Sequence, residues 1–275
     1  MAPRIRRRAP ARAARYRAFG VTFSLTCEEP QLRAALVAVL PPGTTPATGP
    51  AATGDDAGGN FTLTAHPGDH HDVVLDGVML VSAASREVAL GLLDAQVRLF
   101  VAARSPDLAF VHAGVVAWRD RAIAIPGQSF SGKTTLVAAL VRGGAAYVSD
   151  EYAPLDADGR VHPFLRRLTI RDGGDELQQQ PSELGEVVDA RTPLELGAIV
   201  VTRYVPGAAF APQVTTAGQG ALAMLANTVP AQERPRQSLA AVATAARGCV
   251  VLEGERGDAD EAAKTILATT SERWG

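Results

Sequence analysis

The sequence is poor in cysteine and has no long apolar run. Its 275 residues include two cysteines, Cys27 and Cys249, which lie far apart and match no C-x-x-C spacing. This argues against a disulfide scaffold and favours a reduced, cytoplasmic setting, in which both thiols act as small apolar side chains. No run of about 18 apolar residues occurs, so the sequence predicts no membrane span and no membrane partner.

Net charge is also small. The value of −2 provides no overall field that would attract nucleic acid, so we expect no nucleic-acid partner. With 47% hydrophobic residues the chain can bury a sizeable core, and its length suggests one large or two modest domains.

Acidic residues are missing from the first 17 positions, which carry Arg4, Arg6, Arg7, Arg8, Arg12, Arg15 and Arg17. This stretch resembles an organelle transit peptide but lacks its serines, and it lacks the apolar core of a secretory signal. We expect residues 1–17 to form a basic, disordered arm. Contact of this arm with a polyanion or an acidic partner is the alternative.

Residues 18–105 are expected to form a small α+β module. Periodicity predicts, in chain order, strand 16–27, helix 28–40, strand 61–64, strand 73–81 and helix 85–104. The last helix is expected to bury Val88, Leu92, Ala95, Leu99 and Ala102. Three histidines, His66, His70 and His71, cluster at a turn. Because metal ligands converge from fixed elements, we expect a polar surface turn there and not a metal site.

Residues 106–275 show the tighter alternation of strands and helices typical of an α/β domain. The predicted elements are strands 108–118 and 122–126, helix 135–142, strands 145–149, 153–155, 161–165 and 168–170, an exposed polar loop or lid over 173–191, strand 196–202, helices 217–227 and 236–247, strand 249–252 and helix 258–269. Arg119-Asp120 is predicted to be a hairpin turn between the first two strands.

One segment of this domain matches the phosphate-loop pattern G-x-x-x-x-G-K-[S/T] at every fixed position: Gly127, Gln128, Ser129, Phe130, Ser131, Gly132, Lys133 and Thr134. A strand precedes it and a helix beginning near Thr135 follows, which is the context that the motif requires. Backbone N–H groups and the positive helix end can hold phosphate oxygens. Lys133 can reach the outer phosphates, and the Thr134 hydroxyl can ligate Mg²⁺. The alternative is a glycine-rich turn that binds nothing.

A pair of acidic residues near the loop limits the reactions that this domain can be expected to catalyse. Asp150 and Glu151 end an apolar strand 17 and 18 residues after Lys133, separated from the loop by one helix. If that strand lies beside the one that feeds the loop, both carboxylates emerge at the same sheet edge as Lys133 and Thr134. One carboxylate is then available for metal and the other for a proton.

This arrangement resembles the HPr kinase/phosphorylase family and its related kinases, which share a core with phosphoenolpyruvate carboxykinase. The similarity runs through 111–116, 127–134, 140–144 and 148–151, with a weaker match over 156–164. It implies an α/β, phosphoenolpyruvate carboxykinase-like P-loop kinase domain that uses ATP and Mg²⁺. It also implies that Asp150 takes the proton of an acceptor hydroxyl and that His112 lies near Asp150. Glu151 stands where the family usually has a second Asp, and we expect it to be a metal ligand with Thr134.

The resemblance implies phosphorylation of a hydroxyl, with serine the expected acceptor, on a protein or peptide. Related kinases that phosphorylate a serine near a peptide's end are as good a model as HPr kinase itself. A small-molecule hydroxyl kinase and a non-catalytic nucleotide-binding regulatory module are the alternatives, and assembly into a homo-oligomer stays open. Arg166, Arg167 and Arg171 are expected to form a solvated positive face, with a phosphate clamp as the alternative.

Overall fold

A computed structural model describes residues 13–48, 59–128, 131–172 and 175–275. The chain divides into two compact units, one ending at Pro106 and the other beginning at Asp107. Within the described ranges, no helix is both long and apolar enough to cross a membrane.

In its described residues, the first unit is a mixed six-stranded sheet with two helices. Its elements are β1 (Ala14–Ala18), β2 (Val21–Cys27), α1 (Pro30–Ala38), β3 (Thr45–Pro46), β4 (Asn60–His66), β5 (His70–Leu75), β6 (Val78–Ala84) and α2 (Arg86–Arg104). The strand order is β3-β1-β2-β4-β5-β6, in which β2 and β4 are parallel and all other neighbours are antiparallel.

The predicted arm over residues 1–17 is wrong at its carboxyl end, because residues 14–17 belong to β1. Tyr16 and Ala18 of this strand are buried, and the strand pairs with β2 in antiparallel register. The alternation of apolar and arginine residues is a strand signal that the high arginine content concealed. Residues 1–12 lie outside the described residues.

The predicted buried face of the second helix is also wrong, except at Ala102, which is buried. In α2 the buried residues include Ala89, Leu93 and Val97, whereas Val88 and Leu99 are 57% and 45% exposed. Apolar residues form two adjacent stripes along this helix, and periodicity does not distinguish between them. Packing against the sheet determines which stripe is buried.

The second unit has a larger sheet. Its elements are β7 (Ala109–Trp118), β8 (Arg121–Pro126), α3 (Lys133–Arg142), β9 (Ala146–Ser149), β10 (Tyr152–Leu155), β11 (Leu168–Asp172), β12 (Asp175–Gln179), α4 (Pro181–Leu184), β13 (Glu195–Tyr204), β14 (Gln213–Thr215), α5 (Ala217–Ala226), α6 (Pro235–Ala245), β15 (Val250–Arg256) and α7 (Ala259–Trp274). Among the described residues of this unit, the seven-stranded sheet has the order β10-β7-β8-β13-β15-β14, and β9 also pairs with β7. Strands β8, β13 and β15 are parallel, whereas β7 is antiparallel to β8.

Both faces of this sheet are buried. Ile123 and Ile125 of β8 join α3 and α7 residues in one apolar cluster, while Ala122 and Ala124 join α5 and α6 residues in another. Because successive side chains of a strand point to opposite faces, helices α3 and α7 cover one face and α5 and α6 the other.

Two predictions for this unit are wrong. Within 161–165, Val161 alone forms β-bridges, both isolated, so the predicted strand is absent from these described residues. The predicted loop or lid over 173–191 contains β12, which pairs with β11, and the short helix α4. Strand pairing uses backbone groups, so a glutamine-rich segment can pair without an apolar alternation that reveals it. Residues 173 and 174 lie outside the described residues.

Candidate active site

The phosphate-loop segment lies between β8 and α3, as its pattern predicts. Its Ser129 and Phe130 lie outside the described residues. Gly132 precedes α3 with a φ of +80°, a conformation that glycine adopts without strain. The first N–H groups of α3 have no partner within the helix, and Thr135 is exposed in this first turn. This helix end therefore presents donors and a positive dipole to an anion.

Lys133 is buried at the start of α3. Its side chain is 6% exposed, and its Nζ donates a hydrogen bond of 2.6 Å to the carbonyl oxygen of Gln128. Burial lowers the pKa of Lys133 to about 8, an effect that the negative charge of Asp150 opposes. An anion at the loop would stabilise the charged form of this amine.

The pKa of Lys133 predicts how nucleotide affinity depends on pH. The amine is charged below about pH 8 and loses its proton as the pH rises through that value, so its attraction for phosphate is complete below pH 8 and declines above it. We expect the affinity for a non-hydrolysable Mg-ATP analogue to fall by up to about tenfold per pH unit on the alkaline side, measured by calorimetry.

Lys133→Arg is the matched control for this pH dependence, because a guanidinium stays charged throughout the range. It should bind the analogue with an affinity that does not fall between about pH 7 and pH 9. A flat profile for the wild-type chain would show that Lys133 does not contact the phosphates.

The acidic pair interrupts one edge of the sheet. Strands β9 and β10 lie one after the other along β7, both antiparallel to it, and Asp150 and Glu151 are the residues between them. The condition that the strand ending in Asp150 lies beside β8 is not met, because β7 lies between β8 and β9. Since β7 is antiparallel to both, β8 and β9 run in the same direction and their carboxyl ends still meet at one edge.

Asp150 is joined to the loop and to a buried tyrosine. Its Oδ2 accepts a hydrogen bond of 3.2 Å from the Thr134 hydroxyl, and its Oδ1 lies 3.0 Å from the Tyr147 hydroxyl. Burial raises the pKa of Asp150 above its ordinary value, although these hydrogen bonds and the charge of Arg166 oppose the rise. A raised pKa makes a carboxylate a better proton acceptor.

Tyr147 is a site residue that the sequence did not reveal. It is fully buried, and its hydroxyl lies 3.1 Å from the carbonyl oxygen of Arg166 as well as 3.0 Å from Asp150. An aromatic residue in an apolar strand is normally a core residue, so sequence alone offers no signal for this contact.

Glu151 forms an ion pair and not a contact with the loop threonine. Its Oε2 lies 2.6 Å from Nη1 of Arg166, and the two side chains are 19% and 25% exposed. The expectation that Arg166 belongs to a solvated positive face is therefore wrong, whereas Arg167 is exposed. The structure brings Asp150 to Thr134, and metal ligation by Glu151 stays a prediction.

His112 lies on the face of the sheet that carries α3. Its neighbours Ala113 and Val115 belong to the cluster on the α5 and α6 face, so His112 and Gly114 face the other way. Its ring is tilted against that of Tyr152 at 5.7 Å, and its carbonyl accepts a hydrogen bond of 3.1 Å from Gly127 N–H. These contacts place the His112 backbone beside the loop, and its proximity to Asp150 stays a prediction.

Gly114 allows the helix to approach this strand. A Cβ at this position would lie 2.6 Å from Cγ2 of Val137 and 3.7 Å from Cβ of Lys133. The first contact is shorter than atoms of real side chains tolerate, so a larger residue would push α3 and the loop away from β7.

The donors beside Asp150 fit Mg²⁺. The Thr134 hydroxyl and the Asp150 carboxylate are hard oxygen ligands, 3.2 Å apart. In the described part of the chain, no group of three or more His, Cys, Asp or Glu side chains is arranged to hold a metal. That finding is compatible with Mg²⁺, which usually takes one or two carboxylates and keeps waters and substrate phosphates as its other ligands.

A second residue that the sequence did not reveal is Arg256, the last residue of β15. It is 2% exposed, and its Nη2 donates a hydrogen bond of 2.8 Å to the carbonyl oxygen of Gly132. Burial lowers the pKa of its guanidinium from its ordinary value. A charged residue four positions after the predicted apolar strand 249–252 was the available signal, but only the order of the strands shows that β15 ends beside the loop.

Comparisons with known proteins find a distant structural likeness and no sequence match. No protein-family model matches the chain, and no curated protein matches it. Among solved structures, the chain is similar to the Hpr(Ser) kinase/phosphatase from Coxiella burnetii, with 14% identity and a TM-score of 0.34 over 60% of this chain and 99% of that one. A likeness at this level does not establish a shared activity.

Proposed function

We propose that the second unit is a kinase domain that transfers the γ-phosphoryl group of Mg-ATP to a hydroxyl group, with serine on a protein or peptide as the acceptor. The observation that carries the proposal is the meeting of Lys133, Thr134 and Asp150 at the amino end of α3. A cation, a metal-binding hydroxyl and a buried carboxylate with a raised pKa are the groups that phosphoryl transfer requires.

In the proposed reaction the acceptor oxygen bonds to the γ-phosphorus while the bond to the β-bridging oxygen breaks, and ADP leaves. The loop N–H groups and the start of α3 hold the phosphates, and Lys133 neutralises charge on the equatorial oxygens. Thr134 would hold Mg²⁺ from one side, with Glu151 as a second ligand if its pair with Arg166 opens, which leaves Asp150 for the proton. When bound, the metal ion would offset the charge of the phosphate oxygens.

Asp150 is the proposed acceptor of the hydroxyl proton. Its partner Tyr147 has one proton and two acceptors, Oδ1 of Asp150 and the carbonyl oxygen of Arg166. While Asp150 is ionised, the tyrosine can donate to the carboxylate. Once Asp150 is protonated, the same hydroxyl can donate to the carbonyl and accept from Asp150, so both protonation states have hydrogen-bond partners.

Tyr147→Phe tests this arrangement. We expect kcat/KM to fall about tenfold, because a hydrogen bond to a charged group contributes roughly 1.5 kcal/mol. The hydrogen bond from Tyr147 lowers the pKa of Asp150, so its loss should move the acidic limb of the kcat/KM profile to higher pH. Tyr16→Phe, at a buried tyrosine of the first unit, is the matched control. An unmoved acidic limb would argue against Asp150 as the titrating base.

The acceptor can be identified by incubating the whole protein with γ-labelled ATP, Mg²⁺ and the small proteins, peptides and metabolites of its host. Label on a serine of a protein or peptide supports the proposal. Label on free serine or a sugar in the absence of protein supports the small-molecule alternative. ATP binding without any labelled product, and no loss of function in Asp150→Asn, would indicate a regulatory module instead.

A further inference from the structure

The order of the strands fixes the direction in which a bound nucleotide must extend. Asp150 and Glu151 lie on the β7 and β9 side of the loop, so under the proposed function the γ-phosphate lies towards that side. The nucleoside end of the molecule must then lie towards the opposite side, where β13 adjoins β8 and β15 adjoins β13. This inference rests on the proposed function and extends it to the base.

Strands β13 and β15 continue beyond the point where β8 ends. β8 stops at Pro126, and its last pair with β13 joins Ala124 to Ile199, whereas β13 continues to Tyr204. Tyr204 is the register partner of Arg256, the final residue of β15. These two residues therefore stand at the level of the loop, Tyr204 about one strand spacing of 4.8 Å and Arg256 about two such spacings across from β8.

Their side chains lie on the same face of the sheet as α3. Ala198, Val200 and Leu252 belong to the cluster with α3, and residues an even number of positions further along these strands share that face. Tyr204 and Arg256 both satisfy this spacing. The contact between Arg256 and Gly132 at the start of α3 independently supports the assignment.

The two side chains form a continuous path from the loop to solvent. The guanidinium carbon of Arg256 lies 5.8 Å from the centre of the Tyr204 ring, and its Nη2 reaches the carbonyl oxygens of Gly132 and Ser131 at 2.8 and 3.5 Å. Among the described residues, Nε of Arg256 is buried without a hydrogen-bond partner. Tyr204 is 56% exposed.

We propose that Tyr204 is the stacking platform for the nucleotide base and that Arg256 is a positioning residue, holding the ring on one side and the phosphate loop on the other. Arg256 lies over the ring, which leaves ring surface exposed for a base. Stacking on an aromatic face accepts any base, since every base has a π-face. The platform therefore supplies affinity for a nucleoside without selecting adenine over guanine.

Calorimetry with two probes, Mg-ADP and inorganic tripolyphosphate with Mg²⁺, separates the base from the phosphates. We expect Tyr204→Ala to weaken Mg-ADP binding by about 5- to 100-fold, as loss of one stacked base does, and to leave tripolyphosphate binding unchanged. Tyr204→Phe should retain Mg-ADP binding, and Mg-GDP should bind within a few-fold of Mg-ADP. Leu222→Ala, at a 66% exposed residue of α5 on the other sheet face, is the matched control and should bind both probes like wild type.

The outcomes distinguish this inference from the proposed function. If Mg-ADP binds tightly and Tyr204→Ala does not weaken this binding, the stacking role of Tyr204 is contradicted. The kinase proposal is unaffected by that result. Equal weakening of both probes in Tyr204→Ala would mean that the residue acts through the loop and not on the base, which also overturns it. If the wild-type chain binds neither probe, the kinase proposal fails and the platform fails with it.

Discussion

Lys133→Ala is expected to lower phosphoryl transfer by at least about 10²- to 10³-fold, the effect of removing one preorganised donor to transition-state charge. Lys133 is a buried cation at the loop, and its Nζ has a carbonyl oxygen for a partner, so an incoming phosphate can replace that contact. Nucleotide binding should weaken as well, because the same amine contacts the phosphates before the reaction. Transfer from labelled ATP and calorimetric binding are the measurements.

The chain offers a close control for this variant. Lys264 is its only other lysine, and it is exposed on α7. Lys264→Ala should leave transfer and nucleotide affinity unchanged. Lys133→Ala also loses the hydrogen bond to Gln128, so thermal unfolding is the check that this variant is folded. Wild-type turnover by a folded Lys133→Ala protein would refute a catalytic phosphate loop.

Asp150→Asn is expected to lower kcat about 10²- to 10⁴-fold, the usual contribution of general acid–base catalysis, while changing ATP affinity far less. The amide keeps the shape of the side chain and can still accept from Thr134, but it cannot take the acceptor's proton. Single-turnover transfer and equilibrium binding, measured on the same preparation, separate the two effects.

Magnesium titration distinguishes a base from a metal ligand at this position. If Asp150 acts mainly by holding Mg²⁺, excess Mg²⁺ should restore much of the activity of Asp150→Asn. If it acts as the base, saturating metal should leave the loss in place. Asp260→Asn, at an exposed carboxylate paired with Arg142 at the far end of α3, is the control and should behave like wild type. Full activity of Asp150→Asn at ordinary metal concentration would contradict both roles.

The local parts of the site follow from local signals. The loop pattern, the apolar strand before it and the helix after it are neighbours in sequence, and the structure confirms the strand as β8 and the helix as α3. The hairpin turn is likewise confirmed, since Arg119 and Asp120 have φ values of 47° and 64°, as a two-residue turn of this kind requires.

Other contacts of the site depend on how distant segments pack. Tyr147 reaches the carbonyl oxygen of Arg166 across 19 residues, and Arg166 returns to Glu151 across 15 residues. Arg256 meets Gly132 across 124 residues. Periodicity describes the face on which a side chain lies, but it contains no information about which strand or loop will face it.

The sequence by itself determined the phosphate-loop pattern, the α/β alternation around it and the acidic pair one helix later. Each of these depends only on the spacing of residues within one strand-helix-strand unit. Only the tertiary structure decided that β7 separates β8 from β9, that Asp150 and not Glu151 meets Thr134, and that β13 and β15 extend past the loop. Those outcomes depend on strand order and side-chain direction, which are properties of the packed sheet and not of any one segment.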